Sequence, residues 1–280
     1  MSPLGRVINL MICAGVAWIG SGCRGPESVL ERQPAVPTTA RAQALEWRDG
    51  AITRGPIESR QLALLFAGHE FAEGIEPILN CLARHRAAAS FFVTGTFLDR
   101  PEFAPAIERI VAEGHYLGPH SDAHLLYCAW DDPERTLVTH EVFTADLERN
   151  LAKIRRFAGA HAAIPFFLPP YEHHNREIAA WTVELGLTLV NLTRGTRSAA
   201  DYTLESDANF ASSQTILESI LRREEEDLHG LNGFLLLLHT GAGPGRGDKM
   251  HRRLDELLAT LAARGYQFVT ISELLGGAPR

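Results

Sequence analysis

Little in the composition of this chain marks a special class. Its 280 residues include only 4 cysteines, and none of them stands in a Cys-x-x-Cys pair. A dense disulfide framework is therefore excluded. A basic surplus is also missing: 27 Lys+Arg against 34 Asp+Glu leaves 27 − 34 = −7, which argues against a nucleic-acid partner. Beyond the first twenty or so residues no apolar run is long enough to cross a bilayer, so a polytopic membrane protein is excluded. The glycine-rich stretch 241–247 lacks the Gly-Lys-Ser/Thr of a phosphate loop and reads as a flexible lip. What is present is ordinary: 45% hydrophobic and 22% charged residues, as in a globular protein with one large core or two small ones.

The N-terminus reads as an address. Arg6 is followed by the apolar stretch Val7 to Ile19 and then by Gly20-Ser21-Gly22-Cys23, which suits an export signal over residues 1–22. The last four residues resemble a bacterial lipobox, with Gly20 where Leu is usual. The resemblance implies a lipid on Cys23, an exported protein, and anchoring to a membrane of the cell envelope; the alternative is a plain cleaved signal. Residues 23–58, interrupted by Pro26, Pro34, Pro37 and Pro56, read as a tether, and 59–280 as the working domain. Cys81 and Cys128 read as buried free thiols.

From residue 61 short apolar runs alternate with helical periodicity. Runs at 62–66, 90–93, 115–118, 164–167, 187–190, 233–238 and 266–271 predict strands buried on both faces. Helices are predicted near 75–84, 101–113, 142–157 and 272–275, among others. This pattern predicts a parallel α/β sheet, either an open doubly wound sheet or a closed or nearly closed seven-stranded barrel. In both, functional groups belong after the C-terminal strand ends. Polar residues gather there: His69-Glu70, His120 with His124, Tyr171-Glu172, Asn191 and His239. His120 and His124, at i and i+4 on a helical turn, predict a shared metal ion. His239, at the end of a buried strand, predicts a general acid.

The stretch from Gly114-His115 to His120-Ser121-Asp122-Ala123-His124 resembles the paired-histidine motif of polysaccharide deacetylases, the fourth family of carbohydrate esterases. Ala89 to Val93, Pro169-Pro170-Tyr171, Leu237-Leu238-His239 and the ending Gly265 to Leu275 resemble further motifs in that family's order. The resemblance implies a distorted seven-stranded (β/α) barrel. It also implies a divalent metal, of which zinc is the first choice, and removal of acetyl groups from an N- or O-acetylated carbohydrate. It makes His120 and His124 metal ligands and His239 the acid. Three positions depart from the family. Its Asp-Asp pair reads Ala67-Gly68, so Glu70 is expected as third ligand, with His69 or Glu172 as base. The Arg before Pro-Pro-Tyr is Leu168, and an expected Asp is Asn191, which weakens support for His239. Tyr171, Pro170 and Trp130 are expected to touch sugar, and no protein partner is evident. Two other readings compete: a glycan-binding relative without catalysis, and a glycoside hydrolase using Glu70 and Glu172.

Overall fold

The computed structural model describes residues 45–276. The export signal, Cys23 and the first part of the tether lie outside the described residues. The chain order begins with β1 (Glu46–Arg48), β2 (Ala51–Arg54), β3 (Gln61–Gly68), α1 (Ile75–His85), β4 (Ser90–Val93) and α2 (Gly95–Leu98). It continues through α3 (Ala104–Ala112), β5 (Tyr116–Pro119), α4 (His140–Ala158), β6 (Phe166–Phe167), α5 (Arg176–Glu184) and β7 (Thr188–Leu189). It ends with α6 (Ser213–Glu226), β8 (Leu235–His239), α7 (Leu254–Ala263), β9 (Gln267–Val269) and α8 (Ile271–Leu274). Each predicted apolar run holds one of the strands β3 to β9.

All pairing among these strands is parallel. The central sheet runs β5-β4-β3-β8, with β9 also on β3, while β6 and β7 form a separate pair. Single hydrogen bonds bridge the gaps, from Leu168 N to the Pro119 carbonyl and from Thr193 N to that of Leu235. The architecture is α/β, and among the described residues the ladders do not close into one continuous barrel. β3 is apolar because it is covered on both faces: Leu62, Ala63, Leu64 and Leu65 are fully buried. Helices cover the sheet through apolar stripes such as Ile75, Ile78, Leu79 and Leu82 on α1. Their ends are marked in sequence: Thr139 caps α4, Asn175 caps α5, and Thr270 with Glu273 forms a capping box on α8.

The tether ends earlier than its prolines suggest. β1 and β2 form an antiparallel hairpin joined by Asp49-Gly50, with φ of 48° and 83°. Both central residues are left-handed, as a tight two-residue turn requires, and Asp-Gly is the dipeptide that favours it. Ala51 and Ile52 are buried in the common core. Arg54 leaves β2 to pair with Asp227 at 3.0 Å and donates to the carbonyls of Gly230 and Asn232 at 2.9 and 2.8 Å. Both partners of this ion pair are about nine-tenths buried. Removing one side strands a buried charge, so Arg54→Ala is expected to destabilise the domain by about 3 kcal/mol in chemical denaturation. A loss below ~1 kcal/mol would mean that the hairpin is a dispensable part of the tether.

Candidate active site

The strand ends converge on a cavity of about 410 Å³ whose lining includes His69, Glu70, His120, His124, Trp130, Tyr171, Glu172, Tyr202 and His239. The loop after β5 carries the histidine pair, but not on a helical turn. Ser121 and His124 have φ of 70° and 54°, so the chain turns through left-handed conformations that few side chains adopt. That strain is held from α4. Asn150 accepts the His120 N–H at 2.9 Å, and Asp146 accepts the N–H groups of Asp122 and Ala123 at 3.2 and 3.0 Å. Asp146 also accepts the Tyr127 hydroxyl at 2.9 Å, and Ser121 Oγ accepts the His124 N–H at 2.8 Å. Asp146 and Asn150 are fully buried, one helical turn apart on the core face of α4. Two polar residues interrupting an apolar stripe were the sequence signal for this support.

The rings are poised as neutral donors. His120 Nδ1 donates to the Leu168 carbonyl at 2.9 Å, and His69 Nδ1 meets Thr94 Oγ1 at 3.2 Å. In both residues Nε2 remains for a ligand, the arrangement that fixes a metal-binding tautomer. Burial lowers the His120 pKa to about 3 and the His124 pKa to about 2, with neighbouring imidazoles adding to the effect. Burial lowers that of His69 as well. The His69 ring stacks on that of His124 with centroids 4.2 Å apart, and His120 lies 5.1 Å from His124. Glu70, expected as the third ligand, is instead exposed on the rim, where a second groove of about 860 Å³ begins. The residue at the histidine cluster is His69. Donor atoms of this cluster do not all lie within 4.8 Å of one another, with either His69 or Glu70 as the third.

The neighbouring strand end, Ala67-Gly68, brings no acid to these rings. Ala67 pairs with His239 across the β3–β8 ladder, and a Cβ on Gly68 would meet Thr240, Phe97 and Val93 side chains at 3.0–3.1 Å. Ala67 and Gly68 line the cavity itself, so the place of the missing acid pair carries no carboxylate.

Opposite the three neutral rings stands a charged group. His239 Nδ1 pairs with Asp201 Oδ1 at 2.6 Å, and the His239 N–H donates to the second oxygen at 2.8 Å. Burial opposes a charge on His239, yet Asp201 and Glu172 together hold its pKa above the usual histidine value. Burial raises the Glu172 carboxyl, and His239 partly offsets this. Tyr171 and Glu172 take φ of 59° and 52°, which turns both side chains toward the cavity. The Asn191 amide donates to the Glu172 carbonyl at 2.8 Å and so steadies that turn. The support assigned to position 191 comes from Asp201, on a loop whose sequence has no period to betray it.

Arg246 pins that loop. Its guanidinium is fully buried and donates to the carbonyls of Thr203, Ala211 and Asp248 at 2.6, 2.7 and 2.5 Å. Glu73 holds the Ala242 and Gly243 N–H groups at 2.8 Å each, so the stretch 241–247 is anchored rather than a free lip. At the mouth Trp130 stacks on His173 at 4.3 Å and meets Tyr171 edge-on at 5.9 Å. Pro170, expected to touch sugar, is buried and does not line the cavity. Cys81 and Cys128 are buried free thiols, as the sequence indicated. In Asp201→Asn the His239 pKa is expected to fall, because only Glu172 is then left to oppose burial; a ring-proton NMR titration measures this.

Residues 56–190 match the family described as polysaccharide deacetylase. A peptidoglycan-N-acetylglucosamine deacetylase of Bacillus cereus is 24% identical over 220 residues, covering 79% of this chain and 70% of its own length. A chitooligosaccharide deacetylase of Bradyrhizobium is 28% identical over 209 residues, covering 70% of this chain and 82% of its own. The chain spans only 39% of the length of the peptidoglycan deacetylases of Listeria monocytogenes, to which it is 25% identical over 78% of itself. Among solved structures, a family 4 carbohydrate esterase of Bacillus subtilis superposes with a TM-score of 0.64 at 21% identity, over 81% of this chain and 85% of that one. A wild-type pseudoenzyme of the same esterase family from Bacillus anthracis gives 0.61 at 18% identity, over 82% and 70%. The fold and the order of the motifs agree with this match, so residues 56–190 resemble a polysaccharide deacetylase domain on the fold of the family 4 carbohydrate esterases.

Proposed function

We propose that this chain is a metal-dependent deacetylase of an N- or O-acetylated polysaccharide or oligosaccharide, with His69, His120 and His124 as ligands. The observation that carries this reading is the division of one cavity into two sides. Three neutral imidazoles, two of them with Nδ1 bonded to protein oxygens, face a group of Asp201, His239 and Glu172. Zinc or a similar divalent ion, when bound, polarises an acetyl carbonyl and makes water acidic enough to attack it. Glu172, a carboxylate with a raised pKa beside the cavity, accepts the proton of the attacking water. His239, charged with the help of Asp201, returns a proton to the departing sugar nitrogen or oxygen. The Tyr171 N–H is offered to the oxyanion, and the exposed Trp130 and Tyr171 rings offer faces for a pyranose. The leader and Cys23 support export and a lipid anchor at the cell envelope, where acetylated glycans are found.

A second reading is favoured by Ala67-Gly68 standing in place of the family's acid pair, and one structural neighbour is a pseudoenzyme. In that case the domain binds glycan without cleaving it.

Metal analysis and acetate release separate the two. His120→Ala is expected to lose one equivalent of metal and roughly three orders of magnitude of turnover on acetylated chitooligosaccharide or peptidoglycan. Turnover unchanged in that variant would overturn the metal mechanism, and glycan binding without acetate release in the parent would favour the second reading. The pH profile carries the assignment of acid and base. Activity is expected to rise as Glu172 ionises, above pH 4.5, and to fall as His239 loses its proton, above pH 6.5. Asp201→Asn should move the falling limb to lower pH and cost about 100-fold or more in kcat. A falling limb left in place would remove His239 from the role of acid.

A further inference from the structure

Among the described residues one group brings three metal-ligand side chains together, with one donor atom each within 4.8 Å, and it lies outside the deacetylation cavity. It consists of Cys81 and His85 on α1 and Asp255 on α7. Cys81 and His85 are four residues apart on one helix, so both face α7. His85 Nε2 lies 2.9 Å from Asp255 Oδ1, and Cys81 Sγ lies 3.9 Å from the same oxygen. His251 precedes Asp255 by four residues and, with Cys81 and Asp255, lines a cavity of about 510 Å³. Arg84 Nη2 also donates to Asp255 Oδ1, at 2.9 Å. A carboxylate has two oxygens, so Asp255 can keep Arg84 on one and take a cation on the other.

We propose that Cys81, His85, His251 and Asp255 form a second metal site, of the structural zinc type, that clasps α1 to α7. The Cys-x-x-x-His spacing lies on α1, and His251 in the turn before α7 precedes Asp255 in the first turn of that helix, an arrangement that suits a four-ligand site once His251 joins the other three. One thiolate, two imidazoles and one carboxylate select zinc, cobalt or nickel over calcium and magnesium. On binding, the Cys81 thiol gives its proton to solvent and its sulfur lone pair to the ion, with no change of oxidation state.

The clasp reaches the deacetylation cavity through the backbone. The loop entering α1 carries His69 to Glu73, and the loop before α7 runs from Thr240 to Lys249. They are joined by Gly74 N–H donating to the Thr240 carbonyl at 2.8 Å and by the Glu73–Lys249 ion pair. An ion between the two helices holds these two loops at a fixed separation. The site stands independently of the proposed catalytic metal.

Cobalt(II) added to the metal-free chain distinguishes them. The proposal expects a thiolate-to-cobalt charge-transfer band in the near ultraviolet, and binding of two equivalents in all. Cys81→Ser should abolish the band and lose one equivalent, while Cys128→Ser keeps both. His120→Ala should lose the other equivalent and retain the band, so failure of the catalytic reading leaves this result legible. His251→Asn provides a second route if Cys81→Ser does not fold, and should weaken the band's titration by tenfold or more. No thiolate band in the parent, or a band that persists in Cys81→Ser, would overturn the proposal.

Discussion

Backbone hydrogen bonding along β3 governs where everything else stands. This strand is buried on both faces, so none of its N–H and C=O groups can turn to water, and each must find a neighbouring strand. It meets β4 on one stretch, β8 on another and β9 at its start. That shared register levels Gly68 with Val93 and Ala67 with His239, while β4 in turn aligns Val93 with Pro119. Residues far apart in sequence therefore emerge from the sheet side by side. The cavity is the space above those levelled ends.

The loops above the sheet are held by buried polar groups rather than by apolar packing. Asp146 and Asn150 sustain the left-handed turns around His120 and His124. Arg246 gathers three carbonyls from the loop that presents Asp201 and from its own. A buried guanidinium or carboxylate is stable only when its bonds are satisfied, so these contacts specify one loop geometry. The outcome is a cavity with electrically unlike sides: imidazoles whose pKa values burial lowers, and opposite them a histidine whose pKa two carboxylates hold up. Groups whose environments pull their protonation apart are suited to different chemical roles.

Much of this was written in local pattern. The seven apolar runs hold the strands, because a strand covered on both faces must be apolar throughout. The helices lie where the stripes and caps put them. The β1–β2 hairpin was equally legible in Asp49-Gly50, but the prolines on either side drew the tether across it. The i and i+4 spacing of His120 and His124 pointed to one cluster through the wrong conformation. The rings meet because a strained loop folds them together, not because a helix repeats.

Sequence by itself determined the α/β alternation, the strand ends at which chemistry collects, and the histidines at three of those ends. These follow from burial and periodicity, which act over a few residues. Only the tertiary structure decided which carboxylate serves His239 and which of His69 and Glu70 turns inward. Asp201 is 38 residues from His239, and no local rule sets the path of the loop between them. His69 and Glu70 are adjacent, so their roles depend on which side of β3's end faces His124 and which faces water. Such choices depend on how separate loops pack and satisfy one another's polar groups, a condition that exists only once the sheet has assembled.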